Sequence, residues 1–193
     1  MINLPFPNKK YQIIYADPPW PYNDKMKMNG VHGMIRGAES FYKTIPLEII
    51  KNLPIQNITN DNCVLFLWVT MPLLQEGLDV IKAWNFKYKT CGFTWVKTTK
   101  KNKIHCGMGH YTRGNAELCL IGVKGKLERM DKSISQIVIS KINRHSEKPS
   151  EVRNRITKLF GDLPRIELFA RPPKDRLFED ESYMGWDVWG NEC

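Results

Sequence analysis

The sequence predicts an α/β fold: a three-layer sandwich with helices packed on a mainly parallel sheet, in one domain of 193 residues. Two observations carry that expectation. Apolar runs of strand length alternate with stretches whose apolar residues recur at helical spacing. Two of those runs also stop abruptly at a Pro-Pro pair. With 42% hydrophobic and 25% charged residues, a chain of this length buries one sizeable core.

Residues 11–16 (YQIIYA) are β-rich and mostly apolar, so they read as a buried strand ending at Asp17. It must end there: Pro18 and Pro19 fix φ and remove backbone donors, and a residue before proline is kept out of the α region. Residues 63–69 (CVLFLWV) form a second buried strand, and after Pro72 the residues Leu74, Leu78, Ile81 and Trp84 make a helical stripe. Residues 88–96 and 117–123 (ELCLIGV) read as further strands, with a less apolar one at 135–140. Pro149 opens a helix with Val152, Ile156, Leu159 and Phe160 on one face and Glu151 in the first turn, where the macrodipole favours an anion. Residues 165–170 (RIELFA) return to strand just before Arg171-Pro172-Pro173. The chain contains no internal repeat, low-complexity tract or interdomain linker.

Ligands of open α/β sheets gather beyond the carboxyl ends of the strands. Asp17 and Arg171, each where an apolar strand meets a Pro-Pro pair, are therefore expected to project from one edge and share a cleft.

Lys plus Arg number 29 against 20 for Asp plus Glu, and the net charge of +9 favours a polyanionic partner. The charge is clustered. Residues 96–116 contain no acid, while Lys97, Lys100, Lys101, Lys103 and Arg113 alternate with His105, His110, Gly107, Gly109 and Gly114, a pattern that reads as a flexible cationic loop. Residues 124–148 form a second basic region and 25–43 a third, which contains Gly30, Gly33 and Gly37. Three such segments suit a groove that tracks a phosphate backbone, the plainer reading being solvated loops. The five cysteines (Cys63, Cys91, Cys106, Cys119, Cys193) are odd in number and lack C-x-x-C spacing, which argues against a disulfide framework and a zinc site. No metal is expected. No charged-then-apolar leader opens the chain and no apolar run approaches ~20 residues, so a cytoplasmic location without membrane spanning is expected.

The chain resembles the DPPW-class adenine N6-methyltransferases, which include the eukaryotic messenger-RNA adenosine methylases and small bacterial and phage relatives. The likeness rests on ADPPW at 16–20, FLWVT at 66–70, WVKT at 95–98, ELCLIGVKG at 117–125, HSEKP at 145–149, IELFAR at 166–171 and GWDVWGNE at 185–192. These occur in the family's order and cover nearly the whole chain. The resemblance implies a Rossmann-like S-adenosylmethionine-dependent methyltransferase fold in permuted order, the catalytic motif preceding the cofactor motif. It also implies S-adenosylmethionine as methyl donor, although no G-x-G-x-x-G is present to indicate a cofactor independently.

An exocyclic adenine amine is a poor nucleophile because its lone pair is delocalised into the ring. The Asp17 carboxylate is expected to accept one amine hydrogen and the Pro18 carbonyl the other, with the pair Pro18 and Pro19 fixing both acceptors. Trp20 is expected to return part of the stacking lost by an extruded base, ~1–3 kcal/mol, or else to be core packing. By resemblance, Lys148 and Asp17 meet the charged end of the donor, Arg171 its ribose and methionine portions, and Asn191 with Glu192 its ribose and adenine ends. The start of the helix after Lys148 is expected to add backbone donors. Tyr42 and Glu117 match positions near the target nucleotide, although Tyr42 reads equally as a core aromatic and Glu117 as a strand-end acid. His110, Tyr111 and Asn115 match the substrate loop, and Lys100 and Lys101 supply its charge.

Larger relatives carry an additional acidic strand upstream of DPPW that closes the adenine pocket. Only MINLPFPNKK precedes the first strand here, so residues 2–7 are expected to take that place. The reading is adenine N6 methylation in nucleic acid, with DNA preferred because a compact, basic catalytic domain is more like the bacterial and phage members. The alternatives are the same reaction on RNA, a catalytically silent nucleic-acid-binding subunit, and methylation of another planar amine. Relatives often pair, so a homodimer or a related subunit is a further expectation.

Overall fold

The computed structural model describes residues 5–21, 44–109, 111–143, 147–170 and 181–190. Seven strands form one sheet in the order β5-β3-β4-β2-β1-β6-β7. They are β1 (Tyr11–Ala16), β2 (Thr59–Val69), β3 (Lys87–Thr98), β4 (Ala116–Lys124), β5 (Ile137–Lys141), β6 (Arg165–Leu168) and β7 (Trp186–Trp189). β1 pairs in parallel with β2 and β6, as does β6 with β7 and β3 with β5. β4 alone is reversed, pairing antiparallel with both β2 and β3. The expectation of a mainly parallel sheet therefore holds, with one exception.

That exception has a geometric consequence. β1, β2, β3, β5, β6 and β7 all end at the same edge, and β4 begins there.

Alternation along the strands separates two cores. Ile14, Ala16, Leu65, Leu67 and Val69 face α1 (Leu47–Lys51) and α2 (Leu74–Ala83), which contribute Ile50, Val80 and Ile81. Ile13, Tyr15, Val64, Phe66 and Trp68 face α3 (Glu151–Phe160), which contributes Val152, Ile156 and Phe160. Both central strands are apolar on both faces because both faces are covered. The Trp84 indole N–H donates to the Ile50 carbonyl at 2.8 Å and fastens α1 to the end of α2. Asn85 (φ 62°) ends α2 and Gly161 (φ 83°) ends α3, both in the left-handed region. On the other face a buried Arg153–Glu167 pair at 3.0 Å ties α3 to β6, and Arg155 donates to the Ser135 and Ile137 carbonyls beside β5.

The structure departs from the expected boundaries for local reasons. β2 starts earlier, at Thr59, through the polar residues Asn60, Asp61 and Asn62 that carry no apolar signal. β6 stops at Leu168 because Phe169 adopts φ 61°, its N–H donating to the Trp189 carbonyl at 2.6 Å. α1 and β7 lie in stretches from which no element was read, each being too short for a periodic signal.

The supposedly flexible cationic loop is in large part regular. Lys97 lies within β3 and Ala116 opens β4, and the intervening hairpin is closed by Thr98↔Ile104 and Gly107↔Gly114 bridges. A Cβ on Gly109 would stand 2.2 Å from the Thr112 carbonyl oxygen, so that glycine permits a close backbone approach.

The Ile156 side chain is completely buried beneath α3. Ile156→Ala is expected to cost about 2–5 kcal/mol, read as a lower urea midpoint with an unchanged m value. A loss under ~1 kcal/mol would mean that α3 does not pack on the sheet as described.

Candidate active site

Asp17 leaves β1 at the common strand edge, and the two prolines behind it are locked in place. The Trp20 N–H donates to the Pro18 carbonyl at 2.8 Å, closing a three-residue turn around Pro19. The Pro19 carbonyl accepts from the Ile45 N–H at 2.9 Å, and the Trp20 indole N–H donates to the Trp68 carbonyl at 3.0 Å. A carbonyl oxygen has two lone pairs, so Pro18 retains capacity for a second donor.

Lys148 reaches this point from the segment between β5 and α3. Its Nζ lies 2.7 Å from Asp17 Oδ2 and 3.3 Å from Glu117 Oε2, and the side chain is only 9% exposed. Glu117, 13% exposed, also bonds Lys97 through Oε1. Alternation explains the assembly: Asp17 follows Tyr15 on the α3 face, Glu117 precedes Cys119 there, and Trp68 lies on that face under Lys148. The Lys148 ammonium sits 5.7 Å from the Trp68 ring centroid, and the Lys97 ammonium 5.0 Å from that of Trp95.

Electrostatics hold Lys148 and Glu117 ionised. Burial pulls the Lys148 ammonium down, but the Asp17 and Glu117 carboxylates outweigh it and raise its pKa above the ordinary lysine value. Burial pushes Glu117 up, but Lys148 and Lys97 outweigh that and hold it below the usual carboxylate range. Two carboxylates and two ammoniums balance, so a zwitterion can dock without stranding a charge. The residue types at this edge accordingly fit the amino-acid end of S-adenosylmethionine, a carboxylate for its ammonium and an ammonium for its carboxylate.

Several expectations change on contact with the structure. Trp20 does not present an open face: its indole is 3% exposed and belongs to the apolar cluster on the α1 and α2 side. The plainer reading of Trp20 as core packing is the one this geometry supports, and its N–H anchors the DPPW segment. The first turn of α3 offers fewer donors than expected, because the Val152 and Arg153 N–H groups are taken by the Pro149 and Ser150 carbonyls. Lys100 and Lys101 are exposed on the hairpin that leaves the same edge, and Tyr111 is fully exposed on it. Asn115 accepts the Lys97 N–H at 2.9 Å through its main-chain carbonyl. Tyr42, His110, Arg171, Asn191 and Glu192 lie outside the described residues, as do residues 2–4 and the basic segment 25–43. Phe6, from the segment expected to close the pocket, stacks on Trp189 with ring centroids 4.2 Å apart.

Three contributors escaped the sequence reading. In the sequence Lys97 sits in a basic stretch, and Trp68 and Tyr15 sit in apolar strand runs. In the structure the Trp68 indole N–H donates to the Tyr15 hydroxyl at 2.7 Å, while its carbonyl holds Trp20. The alternation in FLWV was the available signal, since it puts Trp68 on the face that Asp17 shares.

Among known proteins, the MT-A70 family profile matches residues 11–192. The chain is 37% identical to the "Type II methyltransferase M.MunI" of Mycoplasma sp, over 96% of this chain and 79% of that one. It is 28% identical to the "N(6)-adenosine-methyltransferase catalytic subunit METTL3" of Homo sapiens, over 84% of this chain and 26% of that one. A Drosophila melanogaster "N(6)-adenosine-methyltransferase MT-A70-like protein" is 27% identical over 84% of this chain and 25% of its own length.

The ion network sets the pH dependence of folding. Glu117, depressed in the fold, contributes stability above its unfolded pKa of about 4.3 and loses it as pH falls through the depressed value. Lys148, raised in the fold, contributes below its unfolded pKa of about 10.4 and loses that as pH rises through the raised value. Stability is thus expected to be level around neutrality as far as this network is concerned. Glu117→Gln should cost about 3–5 kcal/mol there and progressively less on acidification below about pH 4. Urea unfolding of both proteins across pH checks this, and a wild-type advantage that stays constant into acid would contradict it.

Proposed function

This chain belongs to the MT-A70 family of adenine N6-methyltransferases, and we propose that it methylates the N6 amine of adenine in DNA at the carboxyl edge of its sheet. The observation that carries the reading is the Asp17 carboxylate, held by Lys148 at 2.7 Å beside a Pro18 carbonyl whose turn is locked by hydrogen bonds. S-adenosylmethionine, when bound, supplies an electrophilic methyl group on a sulfonium.

Asp17 and the second lone pair of the Pro18 carbonyl accept the two amine hydrogens. Both acceptors become more favourable as positive charge grows on the nitrogen, which is the differential stabilisation that lowers a barrier. Because the prolines and Trp20 hold this turn, the acceptors need not reorganise during the reaction. The proton shed after transfer departs along the Asp17 hydrogen bond. Lys148 meets the donor carboxylate and Asp17 the donor ammonium, and Arg171, Asn191 and Glu192 follow β6 and β7 at the edge where the rest of the donor lies. In this arrangement the acceptor motif precedes the donor-holding segments along the chain, the permuted order of a Rossmann-like methyltransferase.

The polymer tracks across the β3–β4 hairpin, which carries Lys100, Lys101 and Tyr111, with His110, Asn115 and Tyr42 around the target nucleotide. The net charge of +9 suits either nucleic acid, and the likeness to M.MunI over nearly the whole chain supports DNA. RNA is the second reading, supported by the likeness to METTL3.

Labelled S-adenosylmethionine offered with matched DNA and RNA oligonucleotides tests this directly. Label is expected on adenine in DNA. Label on RNA alone would replace the substrate, and binding without transfer would make the chain a silent subunit. Asp17→Asn should lower kcat by about 10²–10³-fold, and Lys148→Met should raise the donor KM first. Neutralising Lys100 and Lys101 together should reduce the slope of log K against log salt by about 2 on duplex DNA. An unchanged slope would remove the hairpin from the groove.

A further inference from the structure

The hydroxyl of Thr70 is the anomaly at this edge. Its oxygen is buried from solvent and has no hydrogen-bond partner among the described residues. A buried hydroxyl without a partner is costly and rare in native proteins, so it calls for a physical reason.

Its surroundings remove the ordinary explanations. Thr70 precedes a short 3₁₀ turn at Met71–Leu73, where threonine would normally cap with its side chain. Here the Leu73 N–H donates to the main-chain carbonyl of Thr70 instead, at 3.0 Å, and the hydroxyl makes no cap. The residue is extended (φ −82°, ψ 151°), so alternation continues past β2 and turns its side chain to the face shared by Trp68. The antiparallel ladder ends at Val69↔Leu118, which leaves Thr70 opposite Glu117. The Glu117 oxygens bond Lys97 and Lys148, and neither bonds this hydroxyl. In the parallel ladder Ala16 pairs with Leu67, so Asp17 stands beside Trp68, two positions before Thr70.

We propose that the Thr70 hydroxyl donates a hydrogen bond to a ring nitrogen on the edge of the target adenine, beside the amine held by Asp17 and Pro18. This rests on the methyl-transfer reading of the edge. The side of the sheet selects the base over the donor. Thr70 and Glu117 stand toward β4, whereas β6 and β7 lie on the opposite side of β1. A hydroxyl kept buried and unbonded until the base arrives gains a partner only in the complex. It therefore favours adenine over a polymer position that offers no ring acceptor.

Thr70→Val removes the hydroxyl at nearly constant shape, and Thr70→Ser keeps it. Thr70→Val is expected to unfold at the same temperature as wild type or higher, since it deletes an unsatisfied polar group, and to bind S-adenosylmethionine within about 2-fold of wild type. Its kcat/KM for an unmethylated substrate oligonucleotide should fall roughly 10-fold, while Thr70→Ser stays within about 3-fold of wild type. Replacing adenine by its 1-deaza or 7-deaza analogue should impair wild type but not Thr70→Val for whichever nitrogen is contacted. Unchanged kcat/KM in Thr70→Val, equal damage in Thr70→Ser, or a loss confined to donor affinity would each overturn the assignment.

A second measurement does not depend on turnover. Wild type should bind short oligo-dA more tightly than the same strand with abasic positions, and Thr70→Val should lose most of that difference. Equal binding of the two strands by wild type, or an undiminished difference in Thr70→Val, would overturn the inference. Absence of methyl transfer by wild type would instead overturn only the proposed function.

Discussion

The arrangement at the strand edge depends on one buried ammonium. Lys148 lies between the carboxylates of Asp17 and Glu117, and a charge so deeply buried is tolerable only while its partners stay in place. Asp17 follows β1, Glu117 lies just after Ala116 at the start of β4 and Lys148 precedes α3, so the network joins segments that are far apart in sequence. Glu117 is in turn shared with Lys97 of β3. The same contacts that stabilise the edge orient the Asp17 carboxylate, the group to which the proposed function gives the reacting amine.

Trp68 connects this polar network to the two cores. Its carbonyl receives the Trp20 indole from the α1 and α2 side, its own indole donates to Tyr15 within the α3 side, and its ring underlies the Lys148 ammonium. Beneath it, the Arg153–Glu167 pair fastens α3 to β6. A change in core packing near Trp68 is thereby felt at both the acceptor turn and the cation. Trp20, in this arrangement, stiffens the Pro18 carbonyl from behind.

Topology explains why the basic hairpin and the buried network occur together. Strands running parallel to β1 deliver their carboxyl ends to one edge, and the hairpin after β3 emerges there with Lys100 and Lys101 exposed. The reversed strand β4 brings its amino end, and therefore Glu117, to that same edge. Exposed lysines on the hairpin project their charge at long range, while the paired lysines inside act only at contact.

The sequence by itself determined the central strands and the turn that ends β1. Continuous apolar runs at β1 and β2 announce strands covered on both faces, and Pro18 and Pro19 dictate where β1 must stop, because both signals are local to the backbone and its nearest neighbours. Family membership was legible for a similar reason, in short segments whose order is preserved. What no local pattern could decide was partnership. That Lys148 lies against Asp17 and Glu117, that Lys97 leaves the solvent-facing set, that Trp20 turns inward, and that the Thr70 hydroxyl is left without a partner follow from strand order and register. These are set by the packing of the whole sheet, and only the tertiary structure brings residues so distant along the chain within hydrogen-bonding range.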